Sequence, residues 1–210
     1  MPLVFQQNIN ETTKIGVWHI AEEEEFFLTQ VPLQRSITHP HKRLQHLAGR
    51  LLLKELYPEF PLELIRIADT RKPFLEDEAY HFSIAHSGNY AAVIVSTSHR
   101  VGVDVEWKNP KLLLIKDKFL TSDELGIGEM WQEARGERED GNVSWITLCW
   151  TIKETVFKWT GSGGVDFRKD IQIKSITNET IHCVFKQDTS LKIHFTRINE
   201  NFLAWILTSH

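Results

Sequence analysis

Asp104 and Glu106 stand two residues apart in the stretch GVDVEW, Gly102–Trp107. Val101, Val103 and Val105 around them have the β-branched chemistry of a sheet interior. The two-residue period of a strand turns both carboxylates to one face, where two like charges need a cation between them. Further along, WTIKETVFK (Trp150–Lys158) has helical spacing that lines up Trp150, Glu154 and Lys158, with Lys153 and Phe157 alongside. Alone, Glu154 and Lys158 are an ordinary helical pair worth about 0.3–0.5 kcal/mol. Beside Asp104 and Glu106, Glu154 is a third carboxylate. Three carboxylates with no cysteine or clustered histidine suit a hard cation, and Mg²⁺ is the usual choice. Mg²⁺ keeps waters and shares itself with phosphate oxygens, so the set points to a phosphate-bearing substrate. Lys153, Lys158 and His86 are donors suited to that substrate's other oxygens. A lone histidine at a hairpin start is commonly structural, but the strand of His86 precedes the carboxylate strand closely enough to share an edge with it.

The elements that must carry these groups are legible in outline. Strands are expected over 14–20, 64–68, 81–85 and 90–96, the last two joined at Ser87-Gly88-Asn89, a strong hairpin signal. The carboxylate strand follows after a polar turn at 97–100, which predicts a meander of three consecutive strands. A short acidic helix is expected from Glu22 to Leu28. Apolar residues at Leu44, Leu47, Ala48, Leu51, Leu52 and Leu56 predict a helix over 42–56, stopped by Pro58. Lys42, Arg43 and Arg50 lie on it. Thr121-Ser122-Asp123-Glu124 reads as a capping box opening a second helix. Residues 136–141 (GEREDG) read as a surface loop and 143–159 as a strong helix. Three or four alternating segments between 171 and 208 read as strands. Helix then sheet, twice over, predicts an α+β protein of two similar lobes, 1–104 and 105–210.

The 210 residues suffice for one large domain or two small lobes with a real core. A formal charge of −4 argues against general nucleic-acid binding. Cys149 and Cys183 lie far apart without CxxC company, so buried reduced thiols are expected rather than a disulfide or a zinc site. Apolar runs are strand-length, so no membrane span is expected. Glu22–Glu25 interrupts any signal-like segment, and a cytoplasmic protein is expected.

With these residues in place, the chain resembles the 4′-phosphopantetheinyl transferases, in particular their larger, two-lobed surfactin-type branch. GVDVE at Gly102–Glu106 and WTIKETVFK at Trp150–Lys158 match the family's two motifs. HFSIAHSGNYAAV at His81–Val93, RKPFL at Arg71–Leu75 and HLAGR at His46–Arg50 agree in order. The resemblance implies a pseudo-twofold pair of α/β lobes with the active cleft between them, sufficient as a monomer. It implies transfer of the phosphopantetheine arm of coenzyme A (CoA) to a serine of an apo acyl or peptidyl carrier protein, releasing 3′,5′-ADP. Asp104, Glu106 and Glu154 would hold Mg²⁺, with Mn²⁺ a substitute. Glu154 would also take the serine proton, and Lys158 would stabilise charge on the leaving group. His86 would contact the diphosphate and Lys72 the 3′-phosphate end of CoA. Lys42, Arg43 and Arg50 lie in the segment that supplies further basic contacts, and Lys153 is a further candidate.

Ala85 and Arg71 depart from the family, which often has serine and glycine at these places. A CoA or nucleotide diphosphate hydrolase, or a non-catalytic carrier- or CoA-binding module, would share much of this set. An intact Asp104, Glu106, Glu154 and Lys158 argues against a pure binder. Lys111–Leu120 (KLLLIKDKFL), apolar and basic, has the character of a surface for an acidic carrier as well as that of a core segment.

Overall fold

A computed structural model describes residues 2–33, 36–135 and 141–209. The loop expected over 136–141 falls, except for Gly141, outside the described residues. The chain is a mixed α/β protein built on two antiparallel sheets.

The first sheet has the order β1-β2-β6-β5, from β1 (Leu3–Asn10), β2 (Thr13–His19), β5 (His81–Ser87) and β6 (Tyr90–Ser96). β1, which alternates too weakly to stand out in the sequence, pairs with β2 through a tight turn and carries two register irregularities. β5 and β6 form the expected hairpin, turning at Gly88 with φ +51°. Every residue of β6 is buried. Val93 and Val95 face the helix α2 (Pro40–Leu56), and Ala92 and Ile94 face the second sheet. Pro40 opens α2 at a position where a missing N–H costs nothing. Its apolar stripe, Leu47, Leu51 and Leu52, packs with Trp18, Phe60 and Phe82, and the short α1 (Glu24–Leu28) joins through Phe27.

The second sheet has the order β7-β11-β10-β9-β8, from β7 (His99–Trp107), β8 (Ile171–Ile176), β9 (Thr180–Phe185), β10 (Thr189–Ile198) and β11 (Asn201–Ser209). Helices α3 (Ser122–Arg135) and α4 (Gly141–Thr160) cover it. The capping box is real: the Thr121 N–H donates to Glu124 Oε2 at 2.8 Å and the Glu124 N–H to Thr121 Oγ1 at 3.3 Å. Cys149 and Cys183 are free and buried. Lys111–Leu120 forms two 3₁₀ turns that bury Leu112, Phe119 and Leu120 and leave Leu114 86% exposed.

The expected meander is corrected at β7. β7 does not pair with β6; it crosses to the second sheet, and all nine of its residues pair with β11. The change of sheet falls at the turn Thr97–Ser98, so a division at 104/105 would cut this strand. β7 nonetheless runs alongside β5 in the same direction, joined by side chains rather than a ladder. The Val103 N–H donates to Ser83 Oγ at 3.2 Å and the Trp107 N–H to Ser87 Oγ at 3.3 Å. Behind this seam, Ile15, Val17 and Ile94 of the first sheet meet Val101, Val103, Val105 and Leu203 of the second in a shared core.

A two-stranded hairpin, β3 (Arg66–Ile67) and β4 (Pro73–Phe74), projects beside the seam. The Arg71 N–H donates to Ala68 O at 2.8 Å and the Ala68 N–H to Lys72 O at 2.9 Å. That tight loop ends with Arg71 at φ +66°, a left-handed position that suits glycine and costs a side-chain-bearing residue about 1 kcal/mol. No helix among the described residues is long and apolar enough to cross a membrane.

Candidate active site

Alternation along β7 turns Val101, Val103 and Val105 into the shared core and Gly102, Asp104 and Glu106 toward α4. Gly102 permits the approach. A Cβ there would lie 2.5 Å from Thr155 O and 2.9 Å from Trp159 N, both on α4. With that face flat, the C-terminal half of α4 sits directly on the strand. Lys158 Nζ donates to Asp104 Oδ1 at 2.6 Å, and Glu154 lies one helical turn earlier. Glu106 accepts a hydrogen bond from Ser87 Oγ at 3.0 Å, which ties the carboxylate to the neighbouring strand β5.

Three carboxylates therefore gather around one ammonium. Burial raises Asp104 above its ordinary value, against the pull of Lys158. Burial, then the Asp104 charge, push Glu106 up to about 7, partly offset by Ser87 and Lys158. Glu154 is pushed up to about 7 by burial and by Asp104 and Glu106, with Lys158 opposing. Asp104 Oδ2 is buried and has no hydrogen-bond partner. Among the described residues no three His, Cys, Asp or Glu side chains are already arranged to hold a metal ion, and Lys158 is the cation present. The donor set nevertheless fits one: all ligands are hard oxygens, the negative charge exceeds the single lysine, and one buried carboxylate oxygen is unsatisfied.

A cleft of about 340 Å³ lies between α2, β5 and the β3–β4 hairpin. Lys42, Arg50, Arg71 and His86 line it, with Gln45 and His46, and no acidic side chain does. Lys42 Nζ donates to Gln45 Oε1 at 3.0 Å. Desolvation in the cleft, then the charges of Lys42 and Lys158, hold the His86 imidazole down at about 4, so it is neutral near pH 7. Ala85, one residue earlier, is buried in the shared core, and Ser87 supplies the hydroxyl nearest the carboxylates.

Three candidates lie elsewhere. Lys153 is corrected outright: it is fully buried on the core-facing side of α4, ion-paired to Glu124 at 2.7 Å. Its Nζ also donates to Phe167 O at 2.9 Å and Ile171 O at 2.6 Å. One residue along a helix rotates the side chain by about 100°, so Glu154 faces the site and Lys153 the core. Arg43 is paired with Glu24 at 2.8 Å and donates to Ile37 O; Ile37 lines the cleft, but Arg43 does not. Lys72 leaves the hairpin toward the end of α4, where its Nζ donates to Trp159 O at 3.3 Å. It lines a second cavity of about 310 Å³ shared with Arg71, Phe157, Lys158 and Ser162. Arg100, also bonded to Trp159 O, sits beside it.

Ser83, Ser87, Arg100 and the inward role of Gly102 escape a reading of sequence alone. The spacing that relates β5 to β7, twenty residues with parallel direction, becomes a signal only once the strands are known to be neighbours.

A family model described as the 4′-phosphopantetheinyl transferase superfamily matches residues 100–206, from β7 to β11. Among curated relatives, a 4′-phosphopantetheinyl transferase of Bacillus pumilus is 28% identical over 124 residues, covering 56% of this chain and 50% of the relative. One of Aneurinibacillus migulanus is 30% identical over 122 residues, covering 56% and 48%. The AcpT transferase of Salmonella typhi is 28% identical over 120 residues, covering 57% and 60%. The chain thus spans about half the length of the first two relatives and three-fifths of the third.

Proposed function

The chain belongs to the 4′-phosphopantetheinyl transferase superfamily, and from that premise we propose that it transfers the 4′-phosphopantetheine group of CoA to a serine of an apo acyl or peptidyl carrier protein. The observation that carries the reading is the buried trio Asp104, Glu106 and Glu154 around Lys158, with Asp104 Oδ2 unsatisfied. Asp104, Glu106 and Glu154 would hold Mg²⁺, or Mn²⁺ in its place. When bound, it neutralises the diphosphate of CoA so that a nucleophile can approach.

Glu154 takes the proton of the carrier serine, whose hydroxyl is a poor nucleophile at neutral pH. A carboxylate raised to about 7 is a suitable base there. The serine oxygen forms its bond to the phosphorus on the pantetheine side, and the phosphorus–oxygen bond to 3′,5′-ADP breaks. Lys158 offsets the charge that develops on the departing oxygen. His86, neutral near pH 7, donates an N–H to the diphosphate without adding charge. Lys42 and Arg50 draw the rest of CoA into the acid-free cleft.

The reading extends to a pseudo-twofold relation between the halves, each a sheet bearing one long helix, with the cleft at their junction in a single chain. A cytoplasmic monomer would suffice. The carrier would dock near Lys111–Leu120, where exposed Leu114 and Trp107 stand beside Lys111, Lys116 and Lys118.

Mass spectrometry of an apo carrier incubated with CoA, Mg²⁺ and the protein tests the reaction. Transfer adds one phosphopantetheine, about 340 Da, to the carrier serine. CoA cleaved with no gain on the carrier would point to a hydrolase, and binding without turnover to a docking module. Glu154→Gln is expected to lower transfer by about 10²–10⁴-fold with the fold retained. Full activity in that variant would overturn the assigned base.

A further inference from the structure

Arg100 stands on the same face of β7 as Gly102, Asp104 and Glu106. Its guanidinium pairs with no carboxylate among the described residues. It meets the C-terminal end of α4 instead. Nε donates to Trp159 O at 2.8 Å and Nη2 donates to Thr160 O. The same group lies over the Trp159 ring, 4.8 Å from its centroid. Both carbonyls belong to the last turn of the helix, whose acceptors have no partner within it, and a cation there also meets the negative end of the helix dipole. The Trp159 indole N–H donates to Thr208 Oγ1 at 3.0 Å, and Thr208 is the residue paired with Arg100 across β7 and β11. The end of α4 is thus held from two neighbouring strands.

Because β7 carries Asp104 and Glu106 while α4 carries Glu154, the register of helix on strand decides whether the three carboxylates converge. Lys158 has its own bond to Asp104, but through a flexible stem that can follow a sliding helix. Glu154 makes no hydrogen bond or ion pair with another described residue, so the helix alone places it. The contact at Gly102 sets how closely α4 lies on β7, and a flat contact resists sliding only weakly. Two directional hydrogen bonds from one rigid guanidinium resist it well. Lys72 reaches Trp159 O at 3.3 Å, but from the β3–β4 hairpin and not from the strand of the carboxylates. From Thr160 to Glu154 is about 9 Å along the helix axis, so a slide at the helix end reaches the carboxylate undiminished.

Building on the transferase reading, we propose that Arg100 is a positioning residue for Glu154: by forking from β7 onto the last carbonyls of α4, it keeps Glu154 in register with Asp104 and Glu106. It acts through the helix and makes no contact with CoA.

A double-mutant cycle between Arg100→Met and Glu154→Gln tests this in the full chain. The cycle is read twice, by steady-state transfer from CoA to an apo carrier and by electron paramagnetic resonance titration with Mn²⁺ alone. Methionine can still lie on the Trp159 ring but donates no hydrogen bond. Arg100→Met is expected to lower kcat about 10–100-fold and to leave KM for CoA within about twofold, since a misplacement of about 1 Å costs that much. It should weaken Mn²⁺ binding about tenfold by moving one of the three carboxylates away. In the Glu154→Gln background both effects should shrink below about threefold, because the group that Arg100 places is already lost. Arg100→Lys keeps the cation but reaches a single carbonyl, so it should recover part of both, and it carries the test if Arg100→Met does not fold. Unchanged kcat and Mn²⁺ affinity, or losses that simply multiply in the double variant, would overturn the proposal. So would a raised KM for CoA at unchanged kcat, which would make Arg100 a substrate contact. If the natural protein transfers nothing, the transferase reading fails, and the Mn²⁺ cycle decides the positioning by itself.

Discussion

Lys72 carries its charge into a half-buried place where the nearest acceptor is a single backbone carbonyl, Trp159 O. Burial, then the neighbouring Arg100, lower it to about 8 from the ordinary 10.5. Below pH 8 the folded chain bears the full penalty of that buried ammonium. Between about 8 and 10.5 the unfolded lysine keeps a proton that the folded one has lost, so stability from this group rises with pH. Lys72→Met should therefore be more stable than the natural protein at pH 7, by on the order of 1–3 kcal/mol. Urea melts across the alkaline range should show that advantage shrinking toward pH 10.5. A constant advantage would mean that packing, not charge, separates the two proteins. The sequence showed that Lys72 follows a turn residue, but not which way four methylenes leave the hairpin. Asp104, Glu106, Glu154 and Lys158 were legible because strand and helix periods fix their faces. Lys153 was misread because the partner that buries it, Glu124, comes from a different helix.

At the scale of elements, the site is the contact of β7 with α4, and Gly102 sets its spacing. Gly102→Ala places a methyl against Thr155 O and Trp159 N, neither of which is a flexible side-chain end. The helix must shift, at about 1–3 kcal/mol. Glu154 and Lys158 would move with it, so kcat should fall by more than tenfold while Tm drops. Circular dichroism melts alongside turnover would check this, and an active variant of unchanged Tm would show that the helix is not held there. Helices α2 and α4, the capping box and the hairpin at Gly88 were readable because local chemistry determines them. The departure of β7 from its neighbour β6 was not, since its pairing partner, β11, lies about a hundred residues further along the chain. A polar turn looks the same whether the next strand stays in the sheet or leaves it.

At the scale of the molecule, the proposed function gives the acid-free cleft and the basic 3₁₀ segment different ligands, so they should respond to different changes. Lys116→Glu with Lys118→Glu reverses charge next to exposed Leu114 in the chain and outside the cleft lining. The double variant should raise KM for an acidic carrier about tenfold and leave KM for CoA unchanged, because rim charges act chiefly on encounter. Steady-state kinetics with each substrate varied in turn decides it; equal rises in both would place the effect in the shared site.

The seam where Ser83 and Ser87 link β5 to β7 has one more consequence. β5 and β7 are each the last strand of a sheet, with open backbone groups that would otherwise recruit a strand from another molecule. Laid side by side, each shields the other. The outer ends of the sheets are β1 and β8, and both have broken register, between Leu3 and Phe5 and between Ile173 and Ser175. An irregular edge makes a poor template for strand addition. The same juxtaposition that brings His86 and Ser87 beside the carboxylates thus also leaves neither large sheet a regular open edge for a copy of this chain to extend.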